Sequence, residues 1–302
     1  MSSHTLGGDA ASEVALQTPA RSLWSDAWRR FRRHRLALAG LTVLGLLTAA
    51  VLVGPLVLGI DPEQIDFGAK DAGPSLAHLM GTDELGRDQL ARVLDGGRLT
   101  LAVASAAVLV SIVVGVLVGA LAGYAGGFVD NALMRLVDVF YSLPGLFVVI
   151  LLVTLLGAGF STIVIAIAVF SWMNTARLVR ASFLSLKEKE YVEAARTIGV
   201  GDVQIALRHI LPNALTPVIV SATLGIATAI LIESALSFLG LGFQPPQATW
   251  GAMLNQSQTA VINQGQWWRG FFPGAMIFLT VLAVNYVGDG LRDALDPRKV
   301  ER

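Results

Sequence analysis

Six long apolar runs divide the chain, and short charged or glycine-rich stretches separate them. Each run approaches the roughly 20 residues that an apolar helix needs to cross a hydrocarbon core. The pattern predicts spanning helices at 36–58, 99–122, 131–156, 161–177, 214–241 and 271–287. Pro144 interrupts the third, and the fourth is short. The second helix carries Gly115, Gly119 and Gly123, a small-xxx-small register that lets a neighbouring backbone approach closely.

The polar stretches differ from one another. Residues 1–23 are small and uncharged for the most part, unlike a cleavable leader, and are expected to be a disordered tail. From Trp24 to Arg35, Trp24, Trp28 and Phe31 recur at helical spacing with arginines between them. That is the pattern of an amphipathic helix lying in the headgroup layer beside anionic lipid. An ordinary basic flank that fixes topology is the alternative. The resulting organisation is a tail (1–23), an interfacial helix with the first span (24–58), an outer loop (59–98), a membrane core (99–292) and a tail (293–302). The core includes an inner loop at 181–212 and an outer one at 243–270.

Charge then sets the orientation. With the N-terminus inside, 17 of the 22 Lys and Arg residues fall on the inner side and Lys70, Arg87, Arg92, Arg98 and Arg269 on the outer. Basic residues collect on the cytoplasmic side of membrane proteins, so both ends are expected to be cytoplasmic. Overall, 54% of residues are hydrophobic, only 15% are charged and the mean hydropathy is +0.64. A soluble domain carries about a quarter charged residues. The absence of cysteine excludes thiol chemistry and disulfides, and the four scattered histidines argue against a metal centre.

The inner loop 181–212 has its own periodicity. Tyr191, Ala194, Ala195 and Ile198 share one helical stripe, and Gly199 stands where a helix-ending glycine belongs. Asp202 is placed to cap a second short helix with Val203, Ala206, Leu207 and Ile210 on one face. Pro212 is expected to end it, with Asn213 capping the fifth span. Such a projection could act as a lever on the flanking spans, or fold back on its own bundle; periodicity leaves both open.

The residues of this loop resemble a known motif. Glu193-Ala194-Ala195, then Gly199, then Ile210-Leu211-Pro212 is similar to the EAA loop of bacterial ABC importer permeases, where the loop sits in a groove of the ATPase subunit. One position departs: the family has Ile two residues before the Leu, and here it is His209. The run 81–88 (Gly-Thr-Asp-Glu-Leu-Gly-Arg-Asp), residues 236–246 and 288–293 resemble the dipeptide, oligopeptide and nickel importer permeases. With the basic arm they resemble the C-type subunit, over roughly residues 24–298.

The resemblance implies an all-α integral membrane protein of the type I ABC importer permease fold, in the bacterial plasma membrane. It implies ATPase coupling through Tyr191, Glu193, Ala194, Ala195, Ile198, Gly199, Leu211 and Pro212. The outer-loop motif would comprise Gly81, Thr82, Asp83, Gly86, Arg87 and Asp88, contacting a binding protein, closing an outer gate, or folding the loop internally. Implied partners are a second homologous permease, two ATPase subunits, an extracytoplasmic binding protein and membrane lipid, with no nucleic acid. The solute expected is a di- or oligopeptide. No cofactor is expected on this chain; ATP and Mg would sit on the ATPases, since the nearest run to a phosphate loop, 157–162, lacks the lysine.

Two acids inside the spans need a role. Glu233 is a candidate for the pathway or for a buried structural contact, because charge at membrane depth is costly. Asp138 is expected to pair with Arg135 one turn away. An ion-driven secondary transporter is the main rival, but no inverted repeat is visible. No hydrolase motif supports an intramembrane enzyme.

Overall fold

The computed structural model describes residues 23–295, and in it the apolar runs fold as helices that outlast the runs themselves. The expected tails lie outside these residues, except Leu23 and residues 293–295, which are helical. In chain order the helices are α1 (Leu23–Phe31), α2 (Arg35–Leu58), α3 (Gln89–Ala125), α4 (Gly127–Ser142) and α5 (Gly145–Leu156). There follow α6 (Phe160–Leu186), α7 (Glu190–Thr197), α8 (Asp202–Phe238), α9 (Trp250–Gln264) and α10 (Trp267–Leu295). Five of them, α2, α3, α6, α8 and α10, are long and apolar enough to span a membrane.

The third predicted span is a correction. It is two helices, α4 and α5, bent by 83° at Leu143-Pro144. Proline donates no N–H and drives the residue before it out of the helical region. Leu143 accordingly sits at φ −86°, ψ 138°. The 12 residues of α5 rise only about 18 Å, too little for a hydrocarbon core of about 30 Å. Only taken together are the two helices long and apolar enough to count as a sixth span.

The other spans pack closely on one another. Gly115, Gly119 and Gly123 of α3 lie against Trp172, Ala176 and Phe183 of α6. A Cβ at Gly119 would stand 2.4 Å from the Ala176 carbonyl oxygen, and one at Gly123 would stand 2.6 Å from the Phe183 Cβ. The small-residue register thus finds its partner in α6. On the other side α2 packs on α10, where Gly40 meets the Ala283 backbone. At the 59–88 end of the bundle, Trp250 of α9 is fully buried and donates its indole N–H to the Val93 carbonyl (2.8 Å). That contact holds the first turns of α3, which precede the apolar run.

Two further expectations change. Asp138 pairs with Arg177 on α6 at 2.6 Å instead of with Arg135. Beside it, Arg180 forms a two-pronged pair with Asp130, so both acids of α4 are used to pin it to α6. In α1, Phe31 turns inward onto Ala37, Val287 and Ala294, while Trp28 stacks on it and stays half exposed. The Trp24 side chain lies outside the described residues.

Candidate docking site at the α7 end of the bundle

The segment between α6 and α8 is built around two faces. Val192 and Ala195 of α7, Val200, and Ile205 and Ile210 of α8 pack onto Val179, Phe183, Ala214 and Val218. Burying one such Val or Ile side chain stabilises by about 1.5–3 kcal/mol, enough to fix α7 against the bundle. Tyr124 at the end of α3 donates its hydroxyl to Asp202 (2.6 Å), tying the start of α8 to the same corner.

The connection between the two helices is a closed cap. Gly199 adopts φ +81°, its N–H bonds the Arg196 carbonyl, and the Val200 N–H reaches the Ala195 carbonyl (3.1 Å). This pairing satisfies the last carbonyls of α7 and needs a left-handed residue, which favours glycine. A Cβ at Gly199 would meet nothing within 4 Å. The constraint there is backbone conformation.

The outward face is apolar as well. Tyr191, Ile198, Val203 and Leu207 are exposed, Ile198 by 80% and Val203 by 73%, and Ala194 and Glu193 lie among them. A shallow groove of about 590 Å³ runs along Gly201, Asp202, Val203, Gln204, Leu207 and Arg208. Exposed apolar side chains grouped between charged ones are a candidate contact surface for a protein or a membrane. The predicted stripes are therefore split. Of the residues 191, 194, 195 and 198, only Ala195 faces the core, and Val192, off the stripe, supplies the anchor. On α8, Val203 and Leu207 face out, while Ile210 and Ile205, which lies off the predicted face, turn in.

Pro212 does not end the second helix, contrary to expectation. The backbone from Ile205 to Ile210 widens into a π-helical turn, and the Leu211 N–H reaches back to the Ala206 carbonyl. The wider turn accommodates the ring and the missing donor, so α8 runs unbroken from Asp202 to Phe238. The Asn213 side chain donates to the His209 carbonyl (2.9 Å) and caps nothing. Leu211 is half-buried and Pro212 exposed.

At the opposite end, the 81–88 motif folds upon itself. Asp83 is buried and accepts from the Leu85 and Arg87 amides (2.9 and 3.0 Å), from Arg87 Nε (2.7 Å) and from Arg92. Burial pushes its carboxyl up, but the Arg92 charge, the two amides and Arg87 together hold it below the usual carboxylate range. Gly86, at φ +82°, lies against the Asp66 carbonyl, where a Cβ would clash. Thr82 accepts from the Ala72 amide and donates to the Ala69 carbonyl. Asp88 caps α3 through the Ala91 amide and also meets His78 (2.9 Å).

This loop is fastened to α9 and α10 by pairings between distant residues that spacing did not predict. Arg92 also reaches Gln256 (2.8 Å), Arg269 pairs with Glu84 and Asp71, and Gln89 donates to the Arg269 carbonyl. Of the two tryptophans that open α10, Trp267 is exposed, whereas Trp268 turns into the loop and donates to the Thr82 carbonyl (3.2 Å).

Glu233 is fully enclosed on α8, near the start of α9. Ser237 donates to its Oε1 (2.7 Å), and Oε2 has no hydrogen-bond partner among the described residues. It lines neither of the two intramembrane cavities found beside α8. No group of three or more His, Asp or Glu side chains able to hold a metal occurs among the described residues.

Comparison with known proteins gives this geometry its setting. Residues 115–301 match the family of binding-protein-dependent transport system inner membrane components, and residues 22–75 match the N-terminal transmembrane domain of oligopeptide transport permease C. The chain is 47% identical over 285 residues to the oligopeptide transport system permease protein of Salmonella typhimurium, covering 94% of each chain. It is 43% identical over 284 residues to the dipeptide transport system permease protein of Bacillus subtilis, covering 94% of this chain and 88% of that one. With its all-helical bundle of five to six apolar spans, this chain is a multi-pass membrane protein that belongs to the binding-protein-dependent transport system inner membrane component family, the permease subunits of ABC importers.

Proposed function

We propose that this chain forms half of the translocation pathway of an importer of di- or oligopeptides and takes its drive from ATPase subunits docked on residues 188–210. The observation that carries this reading is the two-faced tip. Val192, Ala195, Ile205 and Ile210 fix it to the bundle, while Tyr191, Ala194, Ile198, Val203 and Leu207 are left for another protein. A rigid tip continuous with a spanning helix can pass a partner's movement into the membrane.

In this reading the α7 end lies in the cytoplasm, as the basic majority of that side requires. The assembly comprises this chain, a second homologous permease, two ATPases that hold ATP and Mg, and an extracytoplasmic binding protein, in the bacterial plasma membrane. The peptide solute follows from the relatives, which are peptide permeases by name. The 81–88 loop serves as a rigid outer cap whose fold depends on Asp83. The enclosure of Glu233 supports its structural role over a place in the pathway.

The test is reconstitution of the four-part complex in liposomes with the binding protein. Glu193→Arg or Ala194→Trp is expected to lower ATP-dependent peptide uptake about tenfold or more, as loss of about 1.4 kcal/mol or more of docking energy requires. The bundle itself should insert normally. Wild-type uptake and wild-type ATPase stimulation in both variants would refute the assignment, as would uptake driven by an ion gradient without ATP.

A further inference from the structure

The corner where α1 meets the ends of α2 and α10 is built more firmly than a loose basic arm requires. Phe31 is buried on Ala37, Val287 and Ala294. Gly290 lies so close to this contact that a Cβ there would clash with the Ala37 Cβ. Only residues 32–34 separate α1 from α2, so the basic side chains at the junction start from a fixed backbone.

A cleft of about 290 Å³ opens beside the joint. Arg30, Arg33 and His34 line one side, and Gly290, Asp293 and Ala294 of α10 line the other. Its volume is several times the roughly 30 Å³ that a water molecule takes in the liquid. His34 Nδ1 accepts from the Ala37 amide (3.0 Å), which leaves Nε2 as the donor of the ring. Nε2 stands 3.9 Å from Asp293 Oδ2, beyond hydrogen-bond reach. Groups of both signs thus face one another across the cleft without closing it. The apolar run of α2 begins at Leu36 and that of α10 ends near Val287, so the cleft lies about one turn outside both. Trp28 and Leu36, close by in sequence, are each more than half exposed. An exposed indole at the end of a span belongs to the headgroup layer.

We propose that this cleft binds the headgroup of one phospholipid that carries both a phosphate and a primary ammonium, as phosphatidylethanolamine does. Arg30 and Arg33 offer guanidinium N–H groups in the geometry that suits phosphate oxygens. Asp293 accepts from the ammonium. A purely anionic headgroup would suit the arginines but bring like charge towards Asp293. A choline headgroup has the positive charge but no N–H to donate. Diffuse attraction of a basic arm to an anionic surface would treat all its arginines alike; a built cleft sets Arg30 and Arg33 apart from Arg32, which does not line it. The inference goes beyond the importer reading and makes no use of ATP or solute.

The test uses the full-length chain, purified in detergent with the subunits that accompany it and stripped of lipid. It is titrated with phosphatidylethanolamine, phosphatidylcholine or phosphatidylglycerol, and bound lipid is counted by native mass spectrometry. Phosphatidylethanolamine is expected to bind about tenfold tighter than phosphatidylcholine, the scale of one hydrogen bond to a charged group. Asp293→Ala should abolish that preference. Arg33→Ala should weaken both lipids, whereas Arg32→Ala, which removes the same charge outside the cleft, should leave both nearly unchanged. Equal binding of the two zwitterionic lipids, or tighter binding of phosphatidylglycerol, would overturn the proposal. Equal losses in Arg32→Ala and Arg33→Ala would overturn it as well, as would a preference that survives Asp293→Ala. The comparison of lipids on the wild-type chain needs no variant, so it decides even where a substitution impairs folding.

Discussion

Asp83 carries more of the outer loop than any other side chain. It is 1% exposed yet charged, which is tolerable because two amides and two arginines surround it. A carboxyl held below its ordinary value of 3.8 stabilises the fold at every pH above that value, and the contribution fades as pH falls through the lowered one. Hydrogen exchange of amides 71–88 should therefore stay slow through mildly acidic solution and accelerate only below the ordinary carboxylate range. Asp83→Asn should exchange fast at neutral pH, because it leaves Arg92 without its counter-charge. Loss of protection near pH 5 in the wild type would contradict this account.

At the scale of elements, the α3–α6 contact is set by three glycines. Gly119→Leu would drive a side chain into the Ala176 backbone, and overpacking of this kind costs about 1–3 kcal/mol. The detergent-solubilised protein should lose several degrees of thermal midpoint. Gly45→Ala, where nothing lies within 4 Å, should lose none. The glycine register and its meaning were readable from spacing alone. That α6 is the partner was not, since the contact joins residues more than 50 positions apart. The break between α4 and α5 follows from Pro144, which was visible, while its 83° angle depends on how α4 is pinned to α6 through Asp130 and Asp138.

For the whole molecule, the division of the α7–α8 segment into an inner and an outer face separates folding from assembly. Val203→Asp and Leu207→Asp alter exposed positions and should leave the bundle's thermal midpoint unchanged, as surface substitutions do within about 0.5 kcal/mol. Both should sharply reduce ATPase co-purification. Ile205→Asp places a charge in the buried cluster and should prevent accumulation of folded protein. If Val203→Asp unfolds the bundle, or Ile205→Asp assembles normally, the two faces are assigned the wrong way round.

The sequence by itself determined that the chain lives in a membrane, how many apolar runs it has, and which loop resembles a motor-docking motif. Those properties are local: hydropathy, charge asymmetry and short spacings are written in consecutive residues. Only the tertiary structure decided which side of α7 faces out, because 191, 194, 195 and 198 are all apolar and periodicity does not tell a core stripe from a docking stripe. It also decided that Pro212 lies within a continuous helix and that Arg269 closes the outer loop. The helix passes Pro212 through a local π-helical turn that hydropathy does not reveal; the others depend on contacts between distant segments, which no window of adjacent residues contains.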